Sequence, residues 1–526
     1  MTEEKSSLSK TTLWMGLGTL LSRITGFGRL AALVFALGST RLTDSYNLAN
    51  NTPNMVYDLI LGGVIAATLI PVFVELLNTK AEKEAWDGIS AIVTIFIVIL
   101  IVITGITVVI APDIIHLYAL ANTGASKHSQ EIVATELLRL FAPELAFYGI
   151  ISITSSLLAV RRKFILPMFT PIANNLLVIG VFILLPHIVH TLTLQSMSHH
   201  QIPLLFLGLG TTAGVGLQAI LQLPALREIF RHLHWNWNLK DPVVKNILNL
   251  SGWTFGFVAA NQVTLFIILA LANAIKGQVT DYNNAYSFFQ LPFGIVAVSI
   301  MNLIQPDLSS KWYKKDLEGF RYKFSEGIRL ILVLIIPSAV GFVLLAHPII
   351  NTVLLHGSMT VHQANITGSI FAFFGLGLPG FSVYLFLMRV YQSMQHIKEA
   401  FFLYLIKNSV NLILAFSLYN SLHAKGLAIS LSIAYSVGSI VAIWYLHKLT
   451  FRLRGKEIVS SLVKISFASL VMGIAIYMLE NFLFTNWNLD ISLPLTLLSA
   501  VLVYVITARM ISIKELDFLK LTKKKL

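Results

Sequence analysis

The sequence predicts an all-α integral membrane protein with about 14 transmembrane helices. Three observations predict it. Of 526 residues, 56% are hydrophobic and only 12% are charged, roughly half the charged share of a soluble domain. Apolar stretches of spanning length recur along the whole chain. Lysine and arginine collect in every second turn between them. Mean hydropathy is +0.76. This composition excludes an ordinary globular enzyme, a disordered chain and a disulfide-rich secreted module. With no cysteine, disulfides, thiolate metal sites and cysteine nucleophiles are excluded. The 38 basic and 25 acidic residues leave a net charge of +13. In so apolar a chain that excess reads as basic loops against an anionic cytoplasmic leaflet.

A spanning helix needs roughly 20 apolar residues, and each stretch is bounded accordingly. The first, 12–38, follows a polar N-terminus bearing Lys5 and Lys10. No small-residue cleavage site follows it, so it reads as a span and not a signal peptide. The second, 46–77, stops before Lys80 and Lys83, and the third is 88–112. The fourth, 134–160, ends at Arg161, Arg162 and Lys163, directly before the fifth, 165–190. The sixth, 202–227, gives way to Arg227, Arg231, Lys240 and Lys245, and the seventh is 246–275. The eighth, 282–308, is followed by Lys311, Lys314, Lys315, Arg321 and Lys323. The ninth and tenth are 326–354 and 362–393, and Lys398 opens the eleventh, 398–421. The twelfth, 425–447, precedes Lys448, Arg452, Arg454 and Lys456. The thirteenth and fourteenth are 458–482 and 489–511.

The other turns offer little beyond Arg41, Lys127, Lys276 and Lys425. This alternation predicts an even number of spans with both termini in the cytoplasm. The Lys-rich tail (Lys514, Lys520, Lys523, Lys524, Lys525) follows the same bias, and no nucleic-acid partner is expected. The aromatic and cationic segment 311–325 suits a helix lying in the interface.

Two segments echo each other 237 residues apart. Thr43-Asp44 matches Thr280-Asp281, Arg161 matches Lys398, Phe164 matches Phe401, and Asn174 matches Asn411. Spans one to six therefore relate to spans seven to twelve as a parallel repeat, a transporter architecture with the substrate path between the halves. The expected domains are a six-helix lobe at 1–228, a second at 229–450, and two extra helices with the tail at 451–526. Chance likeness among Leu-rich helices is the competing explanation.

Charge inside a span faces a cavity or a partner, because exposure to lipid costs roughly 2.5–3.5 kcal/mol or more. Span one carries Arg23 and Arg29, about 120° apart round the helix. Gly26 and Gly28 between them permit a bend. Two arginines there suit a phosphate or pyrophosphate clamp, since guanidinium binds such groups bidentately. Structural pairing with Asp44 or Asp58 is the alternative. Span two opens with Asp44, Tyr46, Asn47, Asn50, Asn51, Pro53 and Asn54, then Tyr57, Asp58, Gly62 and Gly63. So polar a stretch lines a cavity or is broken within the protein. Asp58 has three readings: a cation ligand, an arginine partner, or a cap on a broken helix.

Glu136 and Arg139 in span four have the i, i+3 spacing of an ion pair, and Glu144 lies beyond them. Asn174, Asn175, Asn261, Gln262, Lys407, Asn408 and Asn411 read as interhelical hydrogen-bonding residues. Gly375-Leu-Gly377-Leu-Pro-Gly380 lies inside a span without a preceding strand and is no dinucleotide site. No histidine pair has metal-ligand spacing on one helix. There is no Walker motif and no hydrolase elbow, so neither catalytic residues, metal nor cofactor is expected.

Ser22-Arg23-Ile-Thr-Gly26-Phe27-Gly28-Arg29, Thr43-Asp44-Ser-Tyr46, Pro53-Asn54 and Gly63 through Pro71 together resemble the MurJ (MviN) family. So do Phe289 through Val298, His356-Gly357 and Lys425 through Ser432. The likeness covers about the first 450 residues, and 51–63 resembles the actinobacterial branch. The resemblance implies a flippase of the MOP exporter superfamily in the bacterial cytoplasmic membrane. Its cargo would be lipid II, the undecaprenyl-pyrophosphate-linked peptidoglycan precursor, moved by alternating access. It implies essential cavity arginines at Arg23 and Arg29, and a lipid-tail groove formed by the last two helices.

This sequence departs from the family at Leu30, where an acid is usual, and at Tyr57 and Ser287, where arginines are common. The substrate site expected here is therefore Arg23 and Arg29 with Asn50, Asn51, Tyr57 and Asp58. Asp44, Gly26 and Gly28 are expected in gating or ion pairing. Membrane lipids and cell-wall synthesis proteins are the other expected partners. The alternatives are an exporter of another polyprenyl-linked saccharide, a membrane enzyme acting on polyprenyl phosphates, or a scaffold for cell-wall enzymes. The enzyme reading lacks the paired acids that metal and phosphate chemistry needs.

Overall fold

The computed structural model describes residues 2–59, 65–189, 192–238, 242–450, 453–485 and 487–517. Gly62 and Gly63, together with Lys240, Arg452 and the lysines from Lys520 onward, lie outside the described residues. The chain is all-helical. Its first helices are α1 (Thr2–Leu37), α2 (Arg41–Tyr57), α3 (Ile65–Thr79), α4 (Glu82–Tyr118), α5 (Lys127–Phe141), α6 (Glu144–Val160) and α7 (Ile165–Ile188). Then come α8 (Leu194–His199), α9 (Gln201–Gln222), α10 (Arg227–Phe230), α11 (Pro242–Ala272), α12 (Gln278–Pro292) and α13 (Val298–Tyr313). The last are α14 (Leu317–Leu354), α15 (Val361–Ser393), α16 (Ile397–Leu422), α17 (Ala424–Thr450), α18 (Gly455–Met478) and α19 (Leu489–Met510).

Among the described residues, 12 helices are long and apolar enough to cross a membrane. Two shorter apolar helices, Leu69–Thr79 and Val258–Ala272, fall where spans two and seven were expected. They are parts of α3 and α11. Large apolar side chains such as Val109 and Ile101 are 74% and 60% exposed on these helices, as lipid-facing positions require. The protein is a multi-pass membrane protein.

The chain divides into two compact units, Met1–Thr280 and Asp281–Leu526. Helix α11 groups with the first. Its C-terminal end is tied in by Asn273, whose Nδ2 donates to the Tyr118 carbonyl at 3.1 Å. Asn273 Oδ1 in turn accepts from Gln130 at 2.7 Å and from Arg41 at 3.2 Å. In the same unit, apolar residues at helical spacing interdigitate: Leu69, Phe73 and Leu76 of α3, Trp86, Ile89 and Ile92 of α4, and Ile153 and Leu157 of α6.

In the second unit the pairing of α15 with α17 rests on small residues, which let membrane helices approach closely. A Cβ at Gly377 would lie 2.6 Å from Ser432 Cα, and one at Gly380 would lie 2.9 Å from Ser436 Cα. The hydroxyls of Ser432 and Ser439 donate across the contact to the carbonyls of Phe373 and Gly380, at 2.9 and 2.8 Å. Pro292 is followed by a π turn, Phe293–Ala297, so the mid-span proline coincides with a local widening of the helix.

Candidate functional site

Helix α1 runs without interruption through Gly26 and Gly28. The glycines face α7: a Cβ at Gly26 would meet Asn175 Nδ2 at 3.7 Å, and one at Gly28 would meet Ile179 Cδ1 at 3.4 Å. Asn175 uses that proximity, donating to the Ser22 carbonyl at 3.1 Å and to Thr25 Oγ1 at 3.0 Å. The stretch between the arginines is thus stitched to its neighbour.

The two arginines sit in different surroundings. Arg23 is exposed and makes no hydrogen bond or ion pair among the described residues. Arg29 is half-buried, and its Nη2 donates to the Tyr46 hydroxyl at 3.4 Å. Tyr46 is held by ring edges of Phe141 and Phe182, 5.4 and 5.5 Å between centroids, and its hydroxyl pairs with Thr211 Oγ1 at 3.3 Å. The same region holds an acid, Glu144 of α6. Glu144 is fully buried and accepts from Tyr148 at 3.1 Å and from Thr212 at 3.3 Å. Tyr148 stacks at a tilt on Tyr57, 5.5 Å between centroids. One cluster of the first unit therefore joins Arg29, Tyr46, Tyr57, Glu144 and Tyr148.

Asp44 and Asp58 are engaged elsewhere. Asp44 is fully buried, with Arg41 3.9 Å away. Its carboxylate accepts from the Gly277 amide at 2.6 Å, and from the amide and hydroxyl of Thr280 at 3.1 and 2.9 Å. Those amides belong to the start of α12, where backbone donors lack intrahelical partners. Asp44 therefore caps a helix far away in sequence. Asp58 is exposed and accepts from Gln262 Nε2 at 3.0 Å. Asn50 and Asn51 are half-buried. The Asn50 amide nitrogen is buried without a hydrogen-bond partner.

The Glu136–Arg139 pair is present, at 2.7 Å. Asn174 joins α7 to α9 through Gln218 at 3.3 Å, and Asn411 joins α16 to α17 through Ser430 at 3.0 Å. Lys407 is buried over the ring of Tyr435, 4.8 Å from its centroid. Sequence reasoning assigned Glu144 no role, and the structure places it in a hydrogen-bonded cluster with Tyr148 and Thr212. The spacing of Glu144 and Tyr148, four residues on one helix face, was the available signal. Among the described residues, no three His, Asp or Glu side chains converge to hold a metal.

An apolar groove of about 600 Å³ opens in the second unit between α14, α15 and α18. Val340, Leu344, Leu376, Pro379, Leu470 and Tyr477 line it. Of the last two helices only α18 contributes, and α19 packs behind it.

The family model described as "Lipid II flippase MurJ" matches residues 33–498. The chain belongs to the MurJ family. Its relatives include the lipid II flippase MurJ of Burkholderia cenocepacia, 24% identical over 443 residues, covering 82% of each chain. Another is the lipid II flippase MurJ of Thermosipho africanus, 24% identical over 476 residues, covering 90% of this chain and 91% of that one. Among solved structures, "Lipid II flippase MurJ, inward closed conformation" superposes with a TM-score of 0.77 at 22% identity, covering 95% of this chain and 98% of that chain. An inward-facing MATE multidrug transporter of the MOP superfamily gives 0.66 at 11% identity, covering 81% and 94%. The MurJ fold thus extends over nearly the whole chain.

Proposed function

We propose that this MurJ-family protein flips lipid II across the bacterial cytoplasmic membrane by alternating access, with both termini in the cytoplasm. The observation that carries the reading is the family match over residues 33–498, joined to an intramembrane arginine braced for anion binding. Arg29 is oriented by Tyr46, and fixed guanidinium geometry suits bidentate phosphate contacts. Arg23, exposed two turns earlier, supplies a second cation about 9 Å along the helix. The pyrophosphate engages these two groups, with the unpartnered Asn50 amide, Asn51 and Tyr57 as neutral donors. Glu144 balances Arg29 when no substrate is held. Binding drives the cycle only through a difference in affinity between its states.

The groove along α14, α15 and α18 takes part of the polyprenyl tail, since its wall is almost wholly apolar. The lobes at 1–228 and 229–450 form a parallel repeat, with 451–526 as an addition. The test is lipid II sidedness in cells depleted of the protein, read with an externally added enzyme that cleaves lipid II. Accumulation of protected lipid II is expected. Undiminished cleavage would assign the protein another polyprenyl-linked cargo.

A further inference from the structure

The segment leaving α10 does not cross open solvent. It lies along the first turns of α4, fastened at every second residue. The His232 ring stacks on Trp86, 5.0 Å between centroids and 16° from parallel. His234 Nε2 is 3.1 Å from Asp87 Oδ1, and its amide donates to Ser90 Oγ at 3.2 Å. The Asn236 amide donates to Thr94 Oγ1 at 3.1 Å, and its side chain donates to the Asp87 carbonyl at 2.9 Å. From Trp86 to Thr94 the helix rises about 12 Å. From His232 to Asn236 an extended chain covers about 13 Å. The two lengths match, so the segment runs extended beside the helix. Ser90 and Thr94 are one helical turn apart, and their buried hydroxyls replace the partner strand that extended backbone otherwise needs.

Of the alternate residues, Leu233 packs on the apolar core of α3, α4 and α6, and the two tryptophans face outward. Trp235 is 69% exposed and Trp237 is 52% exposed. Arg227, Phe230 and Arg231 are exposed just before them. Helix α4 has 37 residues, about 55 Å, while the hydrocarbon core is about 30 Å thick. Its charged first turns (Glu82, Lys83, Glu84, Asp87) therefore stand in the headgroup layer, and the docked segment stands with them. Tryptophan favours that layer, and arginine beside it meets phosphate.

We propose that residues 227–237 form a docking surface for anionic phospholipid headgroups, with Trp235 and Trp237 seated at the interface and Arg227 and Arg231 on lipid phosphates. The full chain is placed in nanodiscs of phosphatidylcholine with or without phosphatidylglycerol. The emission lost in W235F/W237F is compared between lipids brominated near the headgroup and near the chain ends. Quenching about twofold stronger by the shallow label is expected for indoles at the interface. R227Q/R231Q, which keeps both indoles, lowers the number of phosphatidylglycerol molecules retained in native mass spectra. Indoles quenched by aqueous acrylamide and by neither lipid label overturn the proposal, as the exposure of a water-facing or protein-binding surface would. Unchanged phosphatidylglycerol retention in R227Q/R231Q also overturns it. In S90A/T94V, faster amide exchange at His234 and Asn236 confirms that the two hydroxyls hold the segment.

Discussion

Asp44 on α2 grips the Gly277 amide at the head of α12, oxygen to nitrogen 2.6 Å, from a position with no solvent exposure. The same carboxylate takes two hydrogen bonds from Thr280. One side chain thus satisfies donors at a helix start that belongs to a distant part of the chain. Asp44→Ala leaves those buried donors unpaired, at a cost of about 2–3 kcal/mol. A lower midpoint in thermal unfolding of the detergent-solubilised protein is the expected result, with Asp44→Glu in between. An unchanged midpoint in the alanine variant would show that the cap contributes nothing to stability.

Arg29→Ala and Arg23→Ala are both expected to abolish complementation of a depleted strain at normal expression. Tyr46→Phe keeps the ring between Phe141 and Phe182 but removes the hydroxyl between Arg29 and Thr211. It is expected to weaken transport several-fold, in line with the loss of about 1 kcal/mol per hydrogen bond, and to leave the fold intact. Normal growth of both arginine variants would remove the anion-clamp reading.

Glu144 separates charge from shape. Glu144→Gln preserves hydrogen bonding to Tyr148 and Thr212 while removing the negative charge proposed to balance Arg29. Tighter binding of a polyprenyl-pyrophosphate lipid is expected, because the anion no longer competes with a resident carboxylate. Glu144→Ala instead is expected to lower stability, since it strips partners from buried hydroxyls. Binding measured by native mass spectrometry distinguishes the two. Weaker binding in Glu144→Gln would contradict the counter-charge role.

The groove offers an independent handle on the lipid tail. A side chain at Gly473 starts 3.1 Å from Val340 and 3.3 Å from Leu344, so Gly473→Phe obstructs the channel between α14 and α18. Transport of the full lipid is expected to fall while binding of a short-tailed analogue is retained. Equal loss of both would point to a folding defect, which thermal unfolding reports separately.

Asp316 gives a pH-dependent signature outside the spans. It caps α14 through the Gly319 amide at 2.9 Å and meets Lys311 at 2.8 Å. These contacts, Lys311 first, hold its carboxyl below the ordinary 3.8. A carboxyl lower in the folded than in the unfolded chain stabilises above the unfolded value and loses that effect as pH falls through the folded one. Protection factors of the first α14 amides are therefore expected to fall below about pH 4. Asp316→Asn is expected to show the reduced protection at neutral pH, with no further step in acid.

The spans were legible because a bilayer admits only helices of a set length with their backbone satisfied internally. Spans two and seven read like the others, and there the apolar segments are the shorter Leu69–Thr79 and Val258–Ala272. The polar character of α2 was also legible, since so many Asn and Asp side chains cannot face lipid. The partners of those side chains were not. Asp44 binds residues 233 and 236 positions away, and no periodicity reports such a distance. Gly26 and Gly28 read as permitting a bend, and a sequence shows the missing side chain but not that α7 stands opposite. Glu144 escaped assignment for the same reason: the Thr212 hydroxyl that donates to it is on another helix.

The seating of Ser432 and Ser436 over Gly377 and Gly380 limits how the second unit can deform. Sliding α15 past α17 by a single residue would drive Cα atoms into side chains, so shear at this contact is blocked. The two helices behave as one strut, cross-pinned by Ser432 and Ser439 to backbone carbonyls. Bending is easier where a helix is already widened, as at Phe293–Ala297 between α12 and α13. A methyl group at position 377 would act as a wedge in a machine whose stiffness depends on having none.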